Sequence, residues 1–181
     1  PFEFFQWKKK RILSEFDKND LLNKLGIDEI KSIKFDEEFR KQTAEDFFIN
    51  TLVKENIKFL SVGKDFKFGK DRAGDIELLN ELCISNNIEL HVLDDFKANT
   101  VKVSSTLVRE LLAKNDFIEA SKLLGRPYAI SGNVIKGKSL GKRLSTPTAN
   151  IDIDNVEFCF NGVFLGRITI ENKCFFCIVN F

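Results

Sequence analysis

The stretch IKFLSVGKDFKFGKDRAGDIELLNELCISNNIELHVL, residues 57–93, decides how the chain is read. It opens on a short apolar run ending in Val62-Gly63 and closes on a second, IELHVL. Between them lie a glycine-containing loop and the amphipathic pattern DIELLNELCISNN. Two strands joined through a helix cannot form a hairpin, so they lie parallel in one sheet with the helix packed on a face. The same alternation continues on both sides. Upstream, TAEDFFINTLVKEN (43–56) has Thr43 as N-cap, acidic residues in its first turn and apolar residues at 47, 48, 52 and 53. Further back, KNDLLNKLG (18–26) predicts a helix ending at Gly26, and IDEIKSIKF (27–35) predicts a strand. Downstream, TVKVS predicts a strand, and STLVRELLAKNDFIEASKLLG predicts two helices broken near Asn115. Residues 1–124 are therefore expected to form an α/β domain, a parallel sheet with helices on both faces.

From about Gly125 the pattern changes. YAISGNVIKG, TANIDID, GVFLGRITI and KCFFCIVNF are short strands separated by Gly, Asn and Pro, with no helical pattern between them. They predict a small antiparallel sheet or barrel over 125–181, with the domain boundary at LLGRPY and Gly125 as a helix C-cap.

Composition limits the function classes. A chain of 181 residues with 43% hydrophobic and 30% charged residues has the make-up of a soluble globular protein, and its net charge of +1 sets up no global field toward nucleic acid or an acidic membrane. No apolar run reaches the length of a membrane span and no signal peptide is recognisable. The chain starts with Pro, contains no Met and stops within a strand-like run, which predicts a piece of a longer product. Cys83, Cys159, Cys174 and Cys177 are expected as free thiols in a reducing cytosol. Cys174 and Cys177 have C-x-x-C spacing, but residues three apart on a strand face opposite ways, and His91 is the only histidine available to complete a metal site.

Three stretches could carry chemistry. VGKDFKFGKDRAGD (62–75) follows the first parallel strand, where open α/β sheets place their ligands. Spacing alone also allows a solvated loop whose phenylalanines fold back on the core. In VSSTLVRELL (103–112), Ser104, Ser105 and Thr106 stand where strand gives way to helix, and Arg109 lies one turn on. Free N–H groups, hydroxyls and a guanidinium there suit an anion such as a triphosphate, although a plain N-cap uses the same residues. In the third, GNVIKGKS (132–139) fits the written P-loop pattern, but Gly141 and Pro147 follow too soon for the helix a P-loop needs. The next residues include Thr148 and Asn150, two hard oxygen ligands on one strand face that could hold Mg²⁺ against phosphates. A proline-closed turn with a Thr/Asn hydrogen bond to backbone is the alternative.

Taken in order, the three stretches resemble the prokaryotic bifunctional riboflavin kinase/FMN adenylyltransferases, or FAD synthetases, over nearly the whole chain. VGKDFKFGKDRAGD is similar to that family's V-G-x-D-F-x-F-G-x-x-R-x-G-D, and VSSTLVRELL to its I-S-S-T-x-[IV]-R-x-x-L. LLGRPYAISGNVIKG with GKRLSTPTAN resembles its L-G-R-P-Y-x-[IV]-x-G-x-V-x-x-G…G-R-x-x-x-x-P-T-A-N. The resemblance implies a Rossmann-like nucleotidyltransferase domain over 1–124 and a β-barrel kinase domain over 125–181. It also implies a cytoplasmic enzyme that phosphorylates riboflavin to FMN and adenylylates FMN to FAD, using Mg²⁺ and ATP. Its partners are expected to be these small molecules, with neither nucleic acid nor membrane; oligomeric state is not implied.

By position, Ser104, Ser105, Thr106 and Arg109 would bind ATP phosphates, with Arg109 stabilising the transition state, and Asp65, Phe66 and Phe68 would line the substrate side. Thr148 and Asn150 would hold Mg²⁺, and Gly137, Lys138 and Gly141 would form a phosphate flap rather than a P-loop. The family's H-x-G-H histidines and its kinase glutamate are expected outside residues 1–181, so this polypeptide alone is expected to be inactive. Ser145 and Thr146 also depart from the family pattern, which normally has a glycine and an apolar residue there. A degenerate flavin- or nucleotide-binding module, or a chain with only one of the two activities, is the alternative reading.

Overall fold

The computed structural model describes residues 4, 10–98, 100–136, 148–153 and 156–181. The chain divides into two compact units, Pro1–Lys8 with Lys31–Lys102, and Lys9–Ile30 with Val103–Phe181.

In the first unit, β1 (Phe59–Gly63) and β2 (Glu89–Leu93) pair in parallel, Leu60 opposite Leu90 and Val62 opposite Val92. Helix α4 (Ile76–Ser85) connects them, as the strand–helix–strand pattern predicts. It begins where Asp75 accepts a hydrogen bond from Leu78 N at 3.1 Å, and it buries Leu79 and Cys83. Ahead of β1 come α2 (Glu37–Arg40), capped by Asp36, and α3 (Ala44–Phe47), capped by Thr43. The chain remains helical past α3, as a π turn (Phe48–Leu52) and then a 3₁₀ turn (Val53–Glu55). The apolar spacing explains the wider turn. Phe47 and Leu52, like Phe48 and Val53, are five apart, and i→i+5 bonding brings such residues to one face. The helix stops at Asn56, whose φ of 52° is left-handed. Ala44, Phe48, Phe68, Leu79, Cys83 and Ile88 form the core of this unit.

The strand expected over 27–35 is not formed; these residues have no regular structure. Its apolar residues Ile27, Ile30 and Ile33 repeat every three positions, so no single strand face gathers them. After β2, β3 (Lys97–Ala98) and β4 (Val101–Lys102) form a short antiparallel pair turned at Thr100, φ 75°.

In the second unit, α1 (Glu15–Lys24) starts three residues earlier than its pattern suggests, because Ser14 caps it by accepting from Asp17 N at 2.9 Å. Helices α5 (Ser105–Ala113) and α6 (Phe117–Leu124) are separated by left-handed Asn115 and the Asp116 cap, and α6 ends on Gly125 at φ 67°. They bury Val108, Leu112 and Ala120 against Phe158 and Phe160. Tyr128 packs edge-on against Phe160, and its hydroxyl donates to the Ile12 carbonyl at 2.7 Å. Asp17 is buried; it accepts from the Ser14 hydroxyl at 2.8 Å and from Ser131 N at 3.1 Å.

The strands of this unit are β5 (Val134–Ile135) with β6 (Asn150–Ile151), and β7 (Val163–Ile170) with β8 (Lys173–Asn180), both pairs antiparallel. Glu171 and Asn172, both with positive φ, make the tight turn of the second hairpin. Among the described residues these are two separate two-stranded sheets and no closed barrel is present. One face of the long hairpin is open, with Leu165 at 89% and Phe176 at 92% exposure. Cys174 sits opposite Thr169 and Cys177 opposite Gly166, on opposite faces, and all four cysteines are free thiols.

Candidate functional site

The predicted residues are taken unit by unit. In the first unit, β1 ends at Gly63 and the ladder is extended one step by Lys64 N, which donates to Leu93 O at 3.1 Å. Phe66 N then donates to Gly63 O at 3.0 Å, which turns the chain so that Asp65 projects with 79% of its side chain exposed. The loop closes on itself where Phe68 and Gly74 exchange backbone hydrogen bonds. Gly69 has φ 71° and ψ −179°, open in practice only to glycine. It also approaches the 43–44 backbone so closely that a Cβ would lie 2.5 Å from Ala44 N. Phe66 stacks on Phe68 with centroids 5.5 Å apart. Phe68 is a core residue with Gly74 against its ring, and half-buried Phe66 stands over it.

In the second unit, Ser104, Ser105, Thr106 and Arg109 do converge. Ser104 is the N-cap of α5, accepting from Leu107 N at 3.2 Å, and Ser105 and Thr106 are exposed in the first turn. Arg109 folds back to that turn: Nη1 donates to Ser105 O at 3.1 Å, while Nε donates to Lys10 O at 2.9 Å. The hydroxyls of one helix N-terminus and a guanidinium bonded to its first turn thus lie together, a set of donors suited in kind to an anion.

Thr148 and Asn150 are exposed, and Asn150 pairs with Ile135 at the start of β6. Both offer hard, neutral oxygens, a donor set that fits Mg²⁺ in kind. Gly132 is explained sterically, since a Cβ there would meet Asp152 O at 2.0 Å. Gly137, Lys138 and Gly141 lie outside the described residues.

A further charged cluster has no motif to announce it. Asp95, just past β2, takes Lys102 Nζ on one carboxylate oxygen at 2.7 Å and Lys64 Nζ on the other at 2.9 Å. Lys102 also stands 3.8 Å from Asp65. Hydrogen bonds from Lys102, then Lys64, hold the Asp95 carboxyl below its usual range, and the bond to Asp95 raises Lys102. The sequence signal is slight: charge just past two parallel strands, at Lys64 and Asp95, and at the end of β4, at Lys102.

Comparison with known proteins covers both units. Residues 1–107 match the family model for FAD synthetase and residues 124–181 that for riboflavin kinase. A protein of Buchnera aphidicola subsp. Schizaphis graminum named bifunctional riboflavin kinase/FMN adenylyltransferase is 40% identical over 97% of this chain and 56% of its own length. Proteins of the same name from Haemophilus influenzae (37%; 95% of this chain, 57% of its own) and Escherichia coli K12 (36%; 93% and 55%) also match. The chain spans about half the length of these relatives. A crystal structure titled as a macrolide-efflux protein from Streptococcus pneumoniae superposes with a TM-score of 0.77 at 26% identity, covering 93% of this chain and 55% of that one. Among the described residues no helix is long and apolar enough to cross a membrane.

Proposed function

The chain belongs to the FAD synthetase family, and on that footing we propose that the protein makes FAD in two ATP-dependent steps. Riboflavin is phosphorylated to FMN, and FMN is adenylylated to FAD with release of pyrophosphate. The first step is assigned to a β-barrel kinase domain from residue 125, the second to a Rossmann-like nucleotidyltransferase domain up to residue 124. The observation that carries the reading is the convergence at the N-terminus of α5, where Arg109 is folded back onto the first turn beside Ser104, Ser105 and Thr106. Nucleotidyl transfer asks mainly for positioning and for charge to be spread over the transferring phosphate, and these groups offer both. Asp65 and Phe66 are assigned to the flavin side, with Phe68 acting behind Phe66.

Thr148 and Asn150 are assigned to Mg²⁺, which when bound supplies charge neutralisation at the phosphates; the hydroxyl and amide of this chain orient it. Gly137, Lys138 and Gly141 are assigned to the phosphate flap. The four free thiols support a reducing, cytoplasmic setting.

The test incubates the full-length protein with MgATP and either riboflavin or FMN and separates the flavins by chromatography. FAD is expected from both. Arg109→Ala should stop the process at FMN, and Asn150→Ala should block conversion of riboflavin while leaving FMN to FAD intact. FMN without FAD in the unmodified protein would remove the adenylylation reading, and no conversion at all would remove both.

A further inference from the structure

The Lys64–Asp95–Lys102 cluster joins charged residues that follow β1 and β2 to the end of β4. Asp95 is the fixed member: its side chain is 19% exposed and each carboxylate oxygen carries one ammonium group. The two lysines are about half exposed. An ammonium has three donors, so each retains donors beyond its bond to Asp95. Two cations on one carboxylate leave an excess positive charge. Asp65 balances it in formal charge, but at 3.8 Å, outside hydrogen-bond distance, and from a largely exposed position. It is a weakly held counter-ion that a stronger anion can displace. Lys64 and Asp95 stand just past the carboxyl ends of two parallel strands, the edge at which open α/β sheets bind ligands, and Lys102 reaches them from the end of β4.

We infer that Asp95 is a positioning residue that presents Lys64 and Lys102 as a paired phosphate-binding site on the first unit, with Asp65 as the anion the phosphate displaces. The ligand class is a phosphate ester or anhydride. For the function proposed above, on which this half of the inference rests, that means the phosphate of FMN or the phosphates of ATP. Two point charges held about a shared carboxylate suit a tetrahedral dianion, and Lys, unlike Arg, contributes charge without a planar fork.

The experiment uses the full chain, with ¹⁵N-detected lysine ammonium signals followed during addition of inorganic pyrophosphate. The Lys64 and Lys102 signals should shift together in the unmodified chain and stay still in Asp95→Asn. If pyrophosphate leaves both signals unmoved in the unmodified chain, the inference is overturned, whatever the protein's activity. The second arm compares affinities for FMN against riboflavin and ATP against adenosine. Loss of about one charge-assisted hydrogen bond predicts about tenfold weaker binding of a phosphorylated ligand by Asp95→Asn, with its unphosphorylated counterpart within about twofold. Asp95→Glu should recover part of the loss. The ligand whose affinity falls identifies the source of the phosphate. Equal weakening of both members of a pair would make Asp95 merely structural and sink the inference. Shifted lysine signals without FMN or ATP binding would keep the anion site and remove the flavin-and-nucleotide reading. Lys102→Gln serves as the second variant if Asp95→Asn fails to fold.

Discussion

Replacing Gly69 by alanine tests the geometry of the 62–75 loop most directly. Two separate costs meet at this position. The backbone, at φ 71° and ψ −179°, lies in a region that L side chains enter at about 1–3 kcal/mol. The added Cβ would stand 2.5 Å from Ala44 N and 2.6 Å from Ala44 Cα, atoms of the first residue of α3 that cannot rotate away. Overpacking of that kind costs roughly 1–3 kcal/mol more. Gly69→Ala should therefore cost about 4 kcal/mol, and for a domain of this size each kcal/mol lowers Tm by about 4–8 °C.

Two other glycines separate the contributions. Gly125 has φ 67° but nothing within 4 Å of a Cβ, so Gly125→Ala should cost about 1 kcal/mol from conformation alone. Gly74 has no positive φ, but a Cβ would lie 2.7 Å from the Phe68 ring, which must shift to admit it; the cost should be about 1–3 kcal/mol. Thermal and urea unfolding followed by circular dichroism rank the three. A Gly69→Ala variant no less stable than Gly125→Ala would refute the close approach between the loop and α3.

Other expectations are equally direct. Burial pushes the Tyr128 phenol well above its usual range, so the fold favours the protonated form; stability from this group is intact below about pH 10 and falls as pH rises beyond it. Tyr128→Phe should flatten that alkaline loss while costing about 1 kcal/mol at neutral pH, because the bond to Ile12 O disappears. Asp75 is held below its usual pKa, chiefly by the Leu78 N–H it caps; its contribution is present above about pH 4 and lost as pH falls through the folded value. Asp75→Asn, which retains a capping oxygen, should show a weaker acid dependence in the same unfolding assay. Asn172→Gly should stabilise the β7–β8 turn by about 0.5–1 kcal/mol, since Asn172 already sits at φ 64°, and a lower Tm would contradict the turn assignment.

The elements with strong local signals were legible. The parallel crossover over 57–93 follows from apolar runs flanking an amphipathic helix, and the break at Asn115 from a residue that tolerates left-handed backbone. The segment 27–35 misled because Ile27, Ile30, Ile33 and Phe35 look strand-like in composition but not in period, and propensity without alternation buries nothing. The meeting of Ser104, Ser105, Thr106 and Arg109 at the start of α5 was legible because one helix N-terminus gathers neighbours in sequence. Asp95 was not, since its partners lie 31 positions upstream and 7 downstream and meet only through strand pairing. Phe68 was placed by motif at the ligand but by packing in the core, a distinction that depends on which way a loop turns. A closed barrel needs strand pairings that local alternation cannot specify, and the described hairpins remain separate.

The second unit is assembled from two separated pieces of chain, and that has consequences for synthesis. Its helix α1 is made well before the rest of the unit: the buried Asp17 waits for Ser131, 114 residues later, and the Ile12 carbonyl for Tyr128, 116 residues later. At translation rates of about 5–20 residues per second, the delay is roughly 6–25 s. The first unit, by contrast, has its βαβ crossover within 59–93 and can close while the ribosome is still working. During that interval α1 is a short helix with its polar cap made and its partners unborn, near the length at which isolated helices melt. The nascent chain therefore passes through a stage with one finished unit and an α1 segment whose partners are not yet made, the stage at which a chaperone or a protease would meet it.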